Sequence, residues 1–233
     1  METNVSSQTV ETKKPSLFGM IMSPTVQFER MRTKAPIGLP LILMMVIMSA
    51  LFGLFFYQFV NADFMAQMDE AMKGGAPEIG AFRGVMAGVG VFMGLIVVPI
   101  GFLIAALLYK IVMVIMGNDT SYKTLLSFVI FMSMITAVQF LVNNILIAIL
   151  GSNGTASYTS LASLFPKGGA LAGVAQVFDL FYLWYFAVMA IGLPIVTGIS
   201  KKKSYIFVGV LFVLMVAVMA LSGAAQSVTN SMQ

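Results

Sequence analysis

The stretch that decides the fold is FDLFYLWYFAVMAIGLPIVTGISKKKSY, residues 178–205. A single carboxylate, Asp179, precedes the uncharged residues 180–199, and three consecutive lysines follow at 201–203. A helix of roughly 20 residues is about 30 Å long, which matches the hydrocarbon core of a bilayer. The stretch therefore predicts a transmembrane helix with charges at both ends.

The sequence allows two interpretations of Asp179. As a marker of the membrane border it sits at a helix N-terminus, and the lysines sit at the C-terminus, both of which the helix dipole favours. Alternatively, the apolar residues 168–178 lengthen the helix and draw Asp179 into the membrane. An ionisable group there indicates a proton or cation site, and Gln139, Asn143 and Asn144 of another apolar segment are its candidate partners.

Four more uncharged segments have the length of a membrane span: 37–60, 84–109, 124–150 and 204–221. The chain of 233 residues is 59% hydrophobic and only 9% charged, whereas soluble domains carry about 25% charged residues. Lipid must therefore be the main solvent. The predicted fold is an all-α integral membrane protein with five transmembrane helices.

The distribution of basic residues predicts the orientation. Ten of the 13 Lys and Arg fall on one side of the five spans: Lys13, Lys14, Arg30, Arg32, Lys34, Lys110, Lys123, Lys201, Lys202 and Lys203. The other side receives Lys73, Arg83 and Lys167. By the positive-inside rule the N-terminus is cytoplasmic and the C-terminus extracytoplasmic. The basic excess thus reflects membrane orientation, and no nucleic-acid partner is expected.

The domain boundaries follow from composition. Residues 1–22 are predicted to form a flexible cytoplasmic tail, 36–223 the five-helix domain, and 224–233 a short polar tail. Between them, 23–35 predicts an amphipathic interfacial helix that Ser23 caps and Pro24 begins. Its basic residues, with those at 201–203, would lie at the membrane surface: Arg30, Arg32, Lys34, Lys201, Lys202 and Lys203. An ordinary juxtamembrane segment remains the alternative for 23–35.

The chemistry available to the chain is narrow. It contains no Cys and no His, which excludes disulfides, Ser-His-Asp or Cys-His catalysis, and the usual zinc and haem sites. It also lacks a GxxxxGK[ST] phosphate-binding loop. We expect no enzyme activity, no cofactor and no metal site.

Small residues and prolines within the spans indicate helix packing. The GxxxG pairs are candidate packing or partner interfaces: Gly84 and Gly88, Gly90 and Gly94, Gly169 and Gly173. Pro99 and Pro194 lie in the middle of two spans and are candidate kinks.

Three segments resemble the Yip-domain integral membrane proteins. They are LFGMIMSPTVQFERMRTKAP before the first span, GNDTSYKTLLSFVIF after the second, and the stretch at 178–205. The resemblance covers residues 17–221. It implies a five-helix membrane protein without known catalysis. Bacterial members of this kind are associated with ABC-type exporters of the MacB-like sort, and eukaryotic members with vesicle trafficking.

The leading functional hypothesis is a non-enzymatic accessory subunit of such an ABC exporter, in peptide or toxin efflux or resistance. It would lie in a bacterial plasma membrane as a multi-pass protein, and its partners would be lipid and the permease, ATPase and adaptor subunits. The alternatives are a stand-alone transporter or channel built around Asp179, and a membrane-shaping or trafficking protein. The sequence leaves a homo-oligomer open.

Overall fold

The computed structural model describes residues 13–151, 157–165 and 169–231. Helices are the regular structure in these residues, apart from one isolated β-bridge between Ser160 and Asp179. The elements, in chain order, are α1 (Gly19–Met22), α2 (Pro24–Thr33), α3 (Gly38–Phe59), α4 (Ala62–Ala71), α5 (Ile79–Ile115), α6 (Tyr122–Leu150), a 3-10 turn (Leu161–Leu164), α7 (Ala170–Val177), α8 (Leu180–Thr197) and α9 (Lys201–Ser231). Five of them, α3, α5, α6, α8 and α9, are long and apolar enough to cross a membrane. This confirms the prediction of five spans.

Helix α5 extends beyond its uncharged segment at both ends. α5 begins after Glu78, whose carboxylate accepts hydrogen bonds from the Ala81 and Gly80 amides. These two hydrogen bonds hold the pKa of Glu78 below its ordinary value. At its other end α5 runs past Lys110 to Ile115, since a lysine near a helix end can extend its amine to the membrane surface.

The boundary between α8 and α9 differs from the sequence expectation. α8 ends at Thr197, and the following Gly198 has a φ of +76°, a left-handed conformation that glycine adopts readily. The three lysines at 201–203 then form the first turn of α9 rather than the end of α8. The expectation that the helix dipole favours them there is therefore wrong, because the positive end of the α9 dipole opposes them.

The centre of the bundle is α6, which is buried along most of its length and contacts α1, α2, α3, α5 and α8. Its fully buried side chains include Phe128, Ile130, Phe131 and Ile135. α5 and α9 lie at the periphery and expose most of their apolar side chains. In a membrane these faces are available to lipid or to a partner helix.

The segment before the first span is docked against the bundle. α2 buries Gln27, Phe28 and Met31 and packs against α8 and α6. The Phe28 ring lies 5.3 Å from the Phe128 ring, centre to centre, and occupies a notch at Gly192. A Cβ atom at Gly192 would lie 2.5 Å from Phe28 Cζ. Only a glycine therefore admits the ring at this point of α8.

The structure describes part of each predicted tail. In the N-terminal tail, Leu17 and Met20 are buried, and residues 19–22 form α1. α9 continues through most of the predicted C-terminal tail, to Ser231. Residues 1–12 and 232–233, and Lys167 of the orientation count, lie outside the described residues. Pro99 and Pro194 both lie inside continuous helices, and the kinks predicted for them stay predictions.

Candidate functional site

Asp179 caps the N-terminus of α8 and is fully buried. Its Oδ1 atom accepts hydrogen bonds from the backbone N–H of Phe181 at 2.8 Å and of Tyr182 at 3.4 Å. Its side chain is 0% exposed. The carboxylate thus satisfies two amides at the first turn of α8, which have no helical partner of their own.

A short loop segment covers the other carboxylate oxygen. Ser157 Oγ donates to Asp179 Oδ2 at 2.8 Å, and Thr159 Oγ1 also donates to Oδ2. The main chains join as well, because Leu161 N donates to Phe178 O and Leu180 N donates to Thr159 O, both at 3.2 Å. The loop is therefore fixed in the break between α7 and α8.

Helix α6 completes this arrangement through Asn143. Its Nδ2 donates to Thr159 Oγ1 at 3.0 Å and to Gln139 O at 3.1 Å. Ser157 Oγ lies 3.3 Å from Asn143 Oδ1. We call Asn143, Ser157, Thr159 and Asp179 the Asp179 cluster. Every partner that the described residues provide to its carboxylate is neutral.

The length of α8 bears on the two interpretations of Asp179. The 18 residues of α8 span about 27 Å at 1.5 Å per residue, so Asp179 lies nearly one hydrocarbon thickness from the Thr197 end. This distance is compatible with a position at the membrane border, and Asp179 is buried because the loop folds over it. The apolar residues 170–177 do not lengthen α8 but form a separate helix, α7.

Asn144, which the sequence groups with Asn143, faces a different neighbour. Its backbone O accepts from Gln58 Nε2 of α3 at 3.0 Å, and its Nδ2 donates to Phe140 O at 2.8 Å. Asn144 Oδ1 and Gln58 Oε1 are buried without a hydrogen-bond partner in the described part of the chain. The structure therefore links Asn143 to Asp179 through Ser157 and Thr159 and leaves Asn144 at the α3–α6 contact.

Sequence reasoning missed Ser157 and Thr159, which supply both hydroxyl donors of the cluster. The available signal was the hydroxyl-rich run Ser157-Tyr158-Thr159-Ser160 between two apolar segments. Such a run is common in loops, and only the fold shows that it returns to Asp179.

The candidate glycines divide into packed and open positions. A Cβ atom at Gly90 would lie 2.7 Å from Phe52 O, and one at Gly94 would lie 2.6 Å from Ser49 Cα, both on α3. Gly173 lies similarly against the α9 backbone at Met219. Gly169, at φ +94°, donates its N–H to Gly223 O of α9 at 2.8 Å. These four glycines pack helices of the same chain.

Gly84 and Gly88 are open. A Cβ atom at either position would have nothing within 4 Å, and both residues are exposed on α5. The GxxxG pattern is the same as at Gly90 and Gly94, but α5 turns this pair away from the bundle. This pair is the only one of the three candidate pairs whose surface no described residue covers.

Several of the basic residues predicted for the membrane surface have structural partners. Lys203 Nζ donates to Met116 O at 2.8 Å, and Lys110 Nζ donates to Thr120 O at 3.0 Å. Both oxygens belong to the turn between α5 and α6. Arg30 donates to Gln27 Oε1 at 3.3 Å. Arg32, Lys34, Lys201 and Lys202 are exposed, a placement suited to lipid headgroups.

Comparison with known proteins identifies the family. The Yip1 domain matches residues 18–223, which is nearly the whole chain. The membrane protein YknW of Bacillus subtilis (strain 168) is 36% identical over 236 aligned positions, covering 99% of this chain and 100% of that protein. No solved structure matches. The chain is therefore a multi-pass membrane protein of the Yip1-domain family.

Proposed function

We propose that this protein is a non-enzymatic accessory subunit of an ABC-type exporter in a bacterial plasma membrane. It associates laterally with the MacB-like permease and, through it, with the ATPase and adaptor subunits. Its role is to support the assembly or activity of an exporter for peptides or toxins. The proposal rests on the family resemblance, on the narrow chemistry of the chain and on one open helix surface.

The chemistry favours a binding role over catalysis. Without His or Cys the chain lacks the common general base, thiol nucleophile and soft metal ligands. In the described residues no three Asp or Glu side chains come together to hold a metal ion. Nucleotide hydrolysis must come from another subunit, because the chain has no phosphate-binding loop.

The open glycine pair on α5 is the observation that carries the proposal. Association of helices in lipid depends on close packing, since lipid chains are as apolar as the helices themselves. Gly84 and Gly88 allow a partner backbone to approach α5 closely, and nothing in the described chain occupies that approach. A permease helix would fit this surface in the way that α3 fits Gly90 and Gly94.

A pair of matched variants tests this interface. Gly88→Leu places a bulky side chain on the proposed surface. Gly101→Leu places the same side chain on α5 about 140° around the helix, also at a position with nothing within 4 Å. Gly94→Leu is unsuitable because it would break the contact with α3.

The readout is recovery of exporter subunits with the tagged protein from its native membrane in mild detergent. We expect Gly88→Leu to lower recovery by about tenfold, which corresponds to about 1.4 kcal/mol of binding free energy. We expect Gly101→Leu to leave recovery unchanged. Equal recovery with both variants would reject the Gly84–Gly88 surface as the interface.

A further inference from the structure

The segment before the first span has a buried side and an exposed apolar side. Leu17 and Met20 are buried and belong to the core of the bundle. Phe18 and Met22, by contrast, are 68% and 87% exposed. Their spacing of four residues places them on the same side of a helical turn. We call Phe18 and Met22 the α1 surface, and neither residue belongs to a span, so span length does not account for its exposure.

The contacts of α2 fix the depth of this segment relative to two spans. The Phe28 ring meets Gly192 on α8 and Phe128 on α6. Gly192 lies five residues before the last residue of α8, and Phe128 six residues after the first residue of α6. At 1.5 Å per residue these distances are about 8 Å and about 9 Å. Because α8 needs its whole length to cross a bilayer, α2 lies beside the spans at their membrane boundary and not beyond it in water.

Helix α1 is held at the same level by α2 and α6. It contacts both helices, and the Ser16 backbone N–H donates to Gln27 Oε1 of α2 at 2.8 Å. The packing is close, since a Cβ atom at Gly19 would lie 2.5 Å from Gln27 Nε2. The α1 surface therefore stays at the depth at which interfacial helices bury apolar side chains, about 5–10 Å into the boundary between headgroups and acyl chains.

The charges around the α1 surface select the kind of lipid. Residues 13–34 contain five basic residues and a single acid, Glu29. Lys13 and Lys14 lie just before the α1 surface and are exposed. Apolar side chains next to basic ones are typical of segments that bind anionic membranes. A water-soluble partner fits poorly, because it would have to reach Phe18 and Met22 at the depth of the lipid.

From this geometry we infer that α1 and the residues just before it form a binding surface for anionic phospholipid in the surrounding leaflet. Phe18 and Met22 insert among the acyl chains, and the ammonium groups of Lys13 and Lys14 bind the phosphates of the headgroups. Phe28 and Met31 of α2, the buried residues of the predicted interfacial helix, face the bundle instead. This surface is separate from the Gly84–Gly88 surface and does not depend on an exporter partner.

The test is quenching of a single tryptophan by brominated lipid, with the full-length protein in nanodiscs. Trp184→Phe removes the native tryptophan, and Phe18→Trp introduces the probe. Leu107→Trp, at an exposed position in the middle of α5, is the reference for full contact with acyl chains. We expect lipid brominated near the headgroup to quench the Phe18→Trp probe. If Trp184→Phe does not fold, Trp184→Tyr gives an equivalent background.

The preference for anionic lipid is measured with bromine on either the anionic or the zwitterionic component, at equal mole fractions. We expect anionic lipid to quench the Phe18→Trp probe about threefold more strongly, and high salt to reduce this preference. Lys13→Gln combined with Lys14→Gln should reduce the ratio to about one. Lys73→Gln, at an exposed lysine after α4, should leave it unchanged.

Three results would overturn the inference. The first is a Phe18→Trp probe that lipid does not quench but aqueous acrylamide does, because the α1 surface would then face water or a soluble partner. The second is equal quenching by anionic and zwitterionic lipid in the chain with both lysines. The third is a preference that persists in the Lys13→Gln, Lys14→Gln variant, which would exclude these lysines as the headgroup ligands.

Discussion

The contact between Phe28 and Gly192 allows a quantitative test of the docking of α2. In a soluble core, Phe→Ala costs about 3–5 kcal/mol, of which about 1.5–3 kcal/mol is the transfer of the side chain to water. In a micelle the ring of the unfolded segment stays among detergent chains and does not enter water. The cost of transfer to water therefore largely disappears from the effect of the substitution. We therefore expect Phe28→Ala to lower the free energy of unfolding by about 2 kcal/mol, the packing part, since the ring is fully buried.

The partner substitution carries the stronger prediction. Gly192→Ala places a methyl group against the Phe28 ring, 2.5 Å from its Cζ, and such overpacking costs about 1–3 kcal/mol. The higher helix propensity of Ala stabilises the protein by about 1 kcal/mol. In the Phe28→Ala background the new methyl group has no ring to clash with, so Gly192→Ala should only stabilise the protein. The two substitutions should thus couple by about 1–3 kcal/mol.

The assay is a double-mutant cycle of unfolding in mixed micelles. Trp184, the single tryptophan of the chain, lies on α8 with Gly192 and packs partly against the core, so its fluorescence can report unfolding. Val26→Ala, at an exposed position of α2, is the control and should not couple to Gly192→Ala. Additivity of Phe28→Ala and Gly192→Ala within about 0.5 kcal/mol would refute the docked position of α2.

Three further predictions address packing, orientation and capping. Gly94→Ala should destabilise the protein by about 1–3 kcal/mol in the same assay because of its contact with α3, while Gly88→Ala should be neutral or stabilising. Equal effects of the two substitutions would contradict the packed position of Gly94 and the open position of Gly88. Because the chain has no Cys, single cysteines can report the orientation of the two termini. Lys14→Cys should react with an impermeant maleimide only after permeabilisation, and Ser227→Cys should react in intact cells. Labelling of both in intact cells would contradict an odd number of spans. The lowered pKa of Glu78 means that its cap is fully present above its ordinary pKa and is lost as pH falls through the lowered one. Amide-exchange protection in the first turn of α5, corrected for intrinsic rates, should fall over that acidic range, and Glu78→Gln should remove this pH dependence; a wild-type profile in the variant would argue against the cap.

The five spans could be predicted because length and lack of charge are sufficient conditions for a helix in lipid. The ends of these helices could not be predicted, because they depend on local caps such as Glu78 and on the turn at Gly198. The three lysines look like the end of α8 by position alone. The turn at 198–200 instead assigns them to α9.

The candidate site was only partly visible for a similar reason. Asp179 and Asn143 stand out as polar residues in apolar surroundings, but the hydroxyls that join them come from a loop whose path is tertiary information. The two GxxxG pairs of α5 have identical spacing. Their difference arises from which face of α5 meets α3, and no periodicity of α5 alone contains that choice.

The most direct test of the proposed function is isolation of the tagged wild-type protein from its native membrane, with quantitative mass spectrometry of what accompanies it. The account predicts that an ABC ATPase, its permease and an adaptor are recovered in fixed ratio to the chain. Recovery of the chain alone or only with further copies of itself, from membranes that contain the exporter, would contradict the accessory role.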